Sequence, residues 1–216
     1  MRDLYPGYDV LAKRDTPSWN DITRRVIAER LSVDPSAHSF FSDEEWATLL
    51  VVCDRIVPQP LDRIDPVPIA ALLDRKLTQG LHDGYRNARL PPAREAWKRG
   101  LLAIETEANA LCHAPFPKLA ADQQDTLLRE MHQGKLYDAA WGDMPCALFF
   151  KERLLPDIVK TYYAHPTAWS EIGWGGPASP RGYVRLRANF RDPWEAAEAK
   201  PGHAVQALLE NRRVDR

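Results

Sequence analysis

The chain lacks any CxxC pair. Its three cysteines, Cys53, Cys112 and Cys146, stand far apart. That spacing argues against a zinc or iron–sulfur site within this chain. Cys53 falls in an apolar helical stripe and reads as a core residue. The odd count leaves one thiol open to a bond with a partner chain. HExxH is missing, and none of the six histidines (His38, His82, His113, His132, His165 and His203) stands four residues from another. A helical metal pair of that kind is therefore excluded. Cys112 and His113 are neighbours whose side chains diverge on a helix, which makes a poor dyad and a poor metal site. GxSxG is missing as well. Gly173-Trp174-Gly175-Gly176 has neither the preceding strand nor the following helix of a phosphate loop, and a tryptophan would obstruct a phosphate. No two carboxylates pair on an apolar face in a way that suggests acid–base work. The sequence reads as catalytically empty.

An excess of either charge is also lacking. With 29 basic and 30 acidic residues the net charge is -1, which argues against a nucleic-acid binder. No stretch approaches the roughly 20 apolar residues that span a bilayer. The longest apolar run lies around Leu49 to Cys53 and is flanked by charges. A secretory apolar region is absent near the start. Arg24-Arg25 is a twin-arginine pair, but Val26-Ile27-Ala28 is cut off at once by Glu29-Arg30. The expectation is a chain that does not export itself and is cytoplasmic as written. A periplasmic location would require a signal-bearing partner. Alternating strand pattern is missing except over Tyr183 to Ala188, and no internal repeat is present.

What is there suits helices. The 216 residues, 44% hydrophobic and 27% charged, suffice for one full core or two small ones. The 18 prolines fit short helices with firm corners, and the 7 tryptophans fit buried anchors or an interface. A first helix is expected from Ser18 to Leu31 with Ile22, Val26 and Leu31 on one side. Ser42 and Glu45 form a capping box opening a second helix, with Phe40 or Phe41 stapling its start. Trp46, Leu49, Leu50, Cys53, Ile56 and Val57 follow at helical spacing, and Pro58 and Pro60 stop it. Asp65-Pro66 reads as the start of a third helix with Ile69, Leu72, Leu73 and Leu77 inward. Pro91-Pro92 begins a long helix carrying Trp97, Leu101, Ile104, Ala108 and Leu111. Another spans Ala121 to His132 with Leu127, Leu128 and Met131 inward. Pro145 starts a last long helix through Tyr163, kinked at Pro156.

The segment His165 to Tyr183 carries two tryptophans, four glycines and three prolines. Gly and Pro punctuate it too often for a regular element, yet Trp169, Trp174 and Tyr183 need something to pack against. Either the loop covers its own core, or it docks a partner. Asp192 to Arg216 reads as a tail that orders only on a surface. The fold is thus expected to be all-α, an orthogonal helical bundle with an extended N-terminal arm and an irregular Gly/Pro/Trp-rich loop and tail. The expected division is 1–38 as arm and first helix, 39–185 as the helical domain and 186–216 as tail.

Taken in order, the Phe41-Ser42-x-x-Glu45-x-x-x-Leu49 helix start, Asp54-Arg55-Ile56-Val57-Pro58, Gly100-Leu101, the Phe116-Pro117-x-Leu119 corner, Asp122-Gln123-Gln124 with Leu127-Leu128, Tyr162-Tyr163-x-His165-Pro166 and Ile172-Gly173-Trp174-x-Gly176 form a series. With it the chain resembles the gluconate 2-dehydrogenase subunit 3 family over roughly residues 40 to 185. The resemblance implies a non-catalytic small subunit. It would stabilise or help mature an FAD-dependent, GMC-type dehydrogenase of sugars, sugar acids or polyols, with a cytochrome or another group as electron acceptor. The flavin would sit in the large subunit and no cofactor or metal in this chain. Many members carry a twin-arginine signal, and this sequence departs from them there. The residues expected to face the partner are Tyr162, Trp169, Ile172, Trp174, Pro177, Arg181, Tyr183 and Trp194. Two other readings fit the same features: a helical interaction or assembly-chaperone module not bound stably to an oxidoreductase, and a stand-alone bundle with a metal site.

Overall fold

A computed structural model of the chain describes residues 3–81, 84, 87–137, 139–179, 182 and 195–213. The described residues are all-α. They form α1 (Asp21–Leu31), α2 (Asp43–Ile56), α3 (Ile69–Thr78), α4 (Ala93–Cys112), α5 (Ala121–Gln133), α6 (Cys146–Phe149), α7 (Leu155–Tyr163), α8 (Pro166–Glu171) and α9 (Ala204–Asn211), with short 3-10 turns between them. Trp19 and Ser179 make one isolated bridge. The strand expected at Tyr183–Ala188 lies outside the described residues. The chain forms two compact units, one from 34–162 and one from 1–33 with 163–216.

In the unit 34–162, α2 opens on the capping box read from Ser42 and Glu45. The Glu45 N–H donates to Ser42 Oγ at 3.3 Å, and the Ser42 N–H donates to Glu45 Oε2 at 2.8 Å. α2 buries Trp46, Leu49, Val52 and Cys53, whereas Leu50 faces solvent. Burial pushes the Cys53 thiol pKa well above its ordinary value, which keeps it an unreactive core group. α4 packs against α2, α6 and the turns at Phe116–Lys118 and Ala139–Trp141. Its Trp97, Leu101, Ile104 and Ala108 are buried as expected, but Leu111, near its C-terminal end, is exposed. Phe41, Trp97, Phe149 and Trp141 follow one another through the core at centroid distances of 6.3, 5.7 and 6.0 Å. A buried indole N–H must find an acceptor. Trp97 Nε1 donates to Asp157 Oδ2 at 2.9 Å, and Trp141 Nε1 to Glu107 Oε1 at 3.0 Å. The Arg55 guanidinium forks onto both oxygens of Asp125 at 2.7 and 2.6 Å, tying α2 to α5. The buried Asp74 carboxylate accepts the backbone N–H groups of Ser39, Phe40 and Phe41 at 2.9, 2.9 and 3.0 Å. It thereby fixes the segment that leads into α2.

Two local expectations fail here. The third helix does not start at Asp65-Pro66. It starts at Ile69 behind Pro68, which has φ -80 and ψ 66. Those angles are an inverse γ-turn, closed by the Ile69 N–H on Val67 O at 2.9 Å. A residue before proline avoids the helical region, so Val67 cannot join the first turn. The helix expected from Pro145 to Tyr163 is interrupted one turn ahead of Pro156, where Phe150–Leu154 is a π-helix. Pro156 has no N–H to donate and would crowd the carbonyl a turn back. The wider π turn absorbs that register change.

In the other unit the two ends of the chain hold each other. The Ala199 N–H donates to Leu4 O at 2.8 Å. The Asn211 amide donates to Pro6 O and Ala197 O, both at 3.0 Å, and accepts from the Ala197 N–H at 2.6 Å. The tail expected to order only on a surface carries a helix, α9, bonded to the N-terminal arm. α1 is shorter than expected because Asn20 caps it, its Oδ1 accepting from the Thr23 N–H at 2.9 Å. Its buried side is also different: Ile27 enters a core with Val10, Trp19 and Trp169, while Ile22, Val26 and Leu31 are exposed.

Candidate docking surface

The segment read as lacking any regular element contains a short helix. Pro166 occupies the first helical position, where its missing N–H costs nothing. The His165 side chain caps the helix, its Nδ1 accepting from the Thr167 N–H at 3.3 Å. α8 buries Trp169, which is 2% exposed. The Trp169 indole N–H donates to Tyr163 O at 2.6 Å. Arg30 lies 5.8 Å from the ring centroid and donates to Ala164 O at 2.7 Å. Partial desolvation lowers the pKa of that guanidinium from its ordinary value, though an arginine stays protonated.

Beyond α8 the loop is built around glycine. Gly173 and Gly176 have φ of +65° and +67°, a region that favours glycine. Both are crowded by side chains of the N-terminal arm or of α8. A Cβ on Gly173 would lie 2.5 Å from Tyr5 Cε1, and one on Gly176 would lie 2.8 Å from Val10 and 3.4 Å from Trp169. The arm also bonds the loop directly. The Val10 N–H donates to Ser170 Oγ at 3.1 Å, the Tyr8 hydroxyl to Trp174 O at 3.3 Å, and the Asn20 N–H to Ser179 O at 2.9 Å. The buried Lys13 ammonium donates to Gly175 O. On this frame Trp174 stands edge-to-face against Trp169, centroids 4.9 Å apart, and remains 42% exposed. Ile172 is 46% exposed beside it in sequence, and Pro177 is half-buried.

The eight residues expected at a partner interface therefore divide. Trp174, Ile172 and Pro177 lie on the surface of this loop. Trp169 is a core residue of its own unit. Tyr162 belongs to the unit 34–162, where it is buried and its hydroxyl accepts from Arg63 Nη1 at 3.2 Å. Arg181, Tyr183 and Trp194 lie outside the described residues. Sequence reasoning missed Tyr5, Tyr8, Val10 and Lys13. An extended arm shows no periodicity, so only the pairing of aromatic residues with an unplaced glycine-rich loop could have pointed to them.

The loop does not fit a bound dinucleotide. The glycines that would have to lie against a phosphate are filled by Tyr5, Val10 and Trp169 of the same chain. Among the described residues no three His, Cys, Asp or Glu side chains gather as a metal site, and no helix is long and apolar enough to cross a membrane.

These features define a class: an all-α protein that presents a rigidly framed aromatic loop. Residues 43–176 match the family model of gluconate 2-dehydrogenase subunit 3, which is more than half of the chain, and the chain belongs to that family. The family carries the name of a dehydrogenase subunit. No curated protein and no solved structure matches the chain.

Proposed function

We propose that this chain is a non-catalytic accessory subunit that binds and stabilises an FAD-dependent, GMC-type dehydrogenase of sugars, sugar acids or polyols. The flavin belongs to the large subunit, and a cytochrome or another acceptor takes the electrons. The observation that carries the reading is the family match across 43–176. The exposed Trp174 supports a docking role. An aromatic side chain held by an arm, a buried neighbouring ring and two glycines at positive φ loses little rotamer freedom when a partner covers it.

The test is purification from the native host followed by spectroscopy of the separated subunits. The expected result is a complex whose flavin absorbance follows the large subunit, while this chain alone is colourless and reduces no dye with sugars. A stoichiometric flavin band on the isolated chain would refute the proposal, as would elution of the chain without any flavoprotein.

A further inference from the structure

The connection between α2 and α3 lies outside the aromatic loop. Residues 59–67 form a closed loop. The Gln59 side chain bonds both backbone groups of Val67, accepting its N–H at 2.8 Å and donating to its carbonyl at 3.0 Å. Arg63 reaches inward to Gln59 Oε1 at 3.0 Å and to the Tyr162 hydroxyl at 3.2 Å. The Arg63 N–H closes a turn on Pro60 O at 3.1 Å. Pro58, Pro60, Pro66 and Pro68 fix four φ angles of the path. This is a stapled Ω-type loop, whose ends are held by its own side chains.

What the staple presents is unusual. Leu61 is fully exposed and Ile64 is 93% exposed. A fold does not hold two large aliphatic side chains away from every neighbour for its own stability, because each would gain on burial. The flanking charges indicate what would cover them. Asp62 and Asp65 are exposed and pair with no cation among the described residues, while Arg63, the only cation of the loop, is turned inward. The loop thus offers two aliphatic knobs between two free carboxylates.

We infer that the 59–67 loop is an anchor that inserts Leu61 and Ile64 into an apolar socket on the large flavoprotein subunit, rimmed by arginine or lysine that meets Asp62 and Asp65. This rests on the function proposed above. Two side chains cover far less than the area of about 1,600 Å² that a stable interface buries, so the loop anchors one part of a larger contact. An acidic rim is repelled by anionic headgroups, which favours a protein socket over a membrane.

The experiment uses the complex purified with its flavoprotein. The two subunits are separated, and binding of full-length Leu61→Ser, Ile64→Ser and the double variant is measured against the purified flavoprotein. Leu111→Ser, also at an exposed leucine, is the control. Each single change is expected to weaken binding about tenfold or more, with the melting temperature of the free chain unchanged. Asp62→Asn with Asp65→Asn is expected to flatten the salt dependence of association. Wild-type affinity in the double variant, with the complex otherwise intact, would overturn the anchor and leave the proposed function standing. If no flavoprotein accompanies the chain, both fall. Flotation of the chain with phosphatidylcholine vesicles that Leu61→Ser abolishes would assign the loop to a membrane and overturn the inference. A self-association that the double variant dissolves would do the same by making a second copy the occupant.

Discussion

Replacing Gly100 by alanine should destabilise this protein, although the usual expectation has the opposite sign. In a helix interior, Gly→Ala is normally favourable by about 1 kcal/mol, because glycine loses more backbone freedom. At Gly100 in α4 a new Cβ would lie 2.2 Å from Phe149 Cζ, 2.5 Å from Cε1 and 2.8 Å from Cε2. The nearest of these is about 1.5 Å short of ordinary carbon–carbon contact. The ring cannot swing aside, since Phe149 is fully buried and touches Trp97 and Trp141, whose indoles are fastened to Asp157 and Glu107. Overpacking of a tight core costs about 1–3 kcal/mol. With contacts this short the upper part of that range applies, so it outweighs the helix gain and a net loss of up to about 2 kcal/mol is expected. Urea denaturation of the full chain, followed by tryptophan fluorescence, should show a lower midpoint at an unchanged slope. Phe149→Leu shortens the obstructing ring, so the double variant should lose less than the two single losses together. A Gly100→Ala chain more stable than wild type, or a strictly additive double variant, would refute the packing argument.

Trp169→Ala should cost the free chain about 3–5 kcal/mol, because its ring is buried. Trp174→Ala should cost about 1 kcal/mol, mainly the edge-to-face contact, while weakening partner binding by about 2 kcal/mol or more. Melting of each free variant and titration with the flavoprotein separate the two. Asp74→Ala strands three backbone donors at the lead into α2 and should lower stability by about 3 kcal/mol. Thermal unfolding of that variant is the check. Arg55 holds the Asp125 carboxyl below its ordinary pKa, chiefly through the side-chain hydrogen bond. A depressed carboxylate contributes stability that is present above its unfolded value of about 3.9 and is lost as pH falls through the lower folded value. Asp125→Asn should therefore lose less stability than wild type between pH 4 and the acid transition, roughly where a carboxylate titrates, as read from urea midpoints across that range.

Much of the unit 34–162 was legible in the sequence because its signals are local. The Ser42–Glu45 box, the α4 stripe of Trp97, Leu101, Ile104 and Ala108, and the α5 face of Leu127, Leu128 and Met131 each depend on spacing within a few residues. Of the eight interface residues, Trp174, Ile172 and Pro177 were placed on the loop surface, and Trp169 turned out to lie within the core. Periodicity tells that an aromatic residue is anchored, but not whether the anchor is internal or belongs to another chain. α1 shows the same gap. Ile22, Val26 and Leu31 share a helical face with the right spacing, yet Ile27 points to Val10, Trp19 and Trp169. That choice depends in part on Trp169, more than a hundred positions away.

By itself, then, the sequence determined an all-α chain, the starts of α2, α4 and α5, and the family, because helix caps and apolar spacing act over one or two turns. Only the tertiary structure decided that the N-terminal arm and the C-terminal tail hold each other, and that Tyr5 and Val10 fill the space over Gly173 and Gly176. It also decided that Leu61 and Ile64 face solvent. Those outcomes depend on which distant surfaces meet, and a residue's near neighbours in the chain carry no record of that.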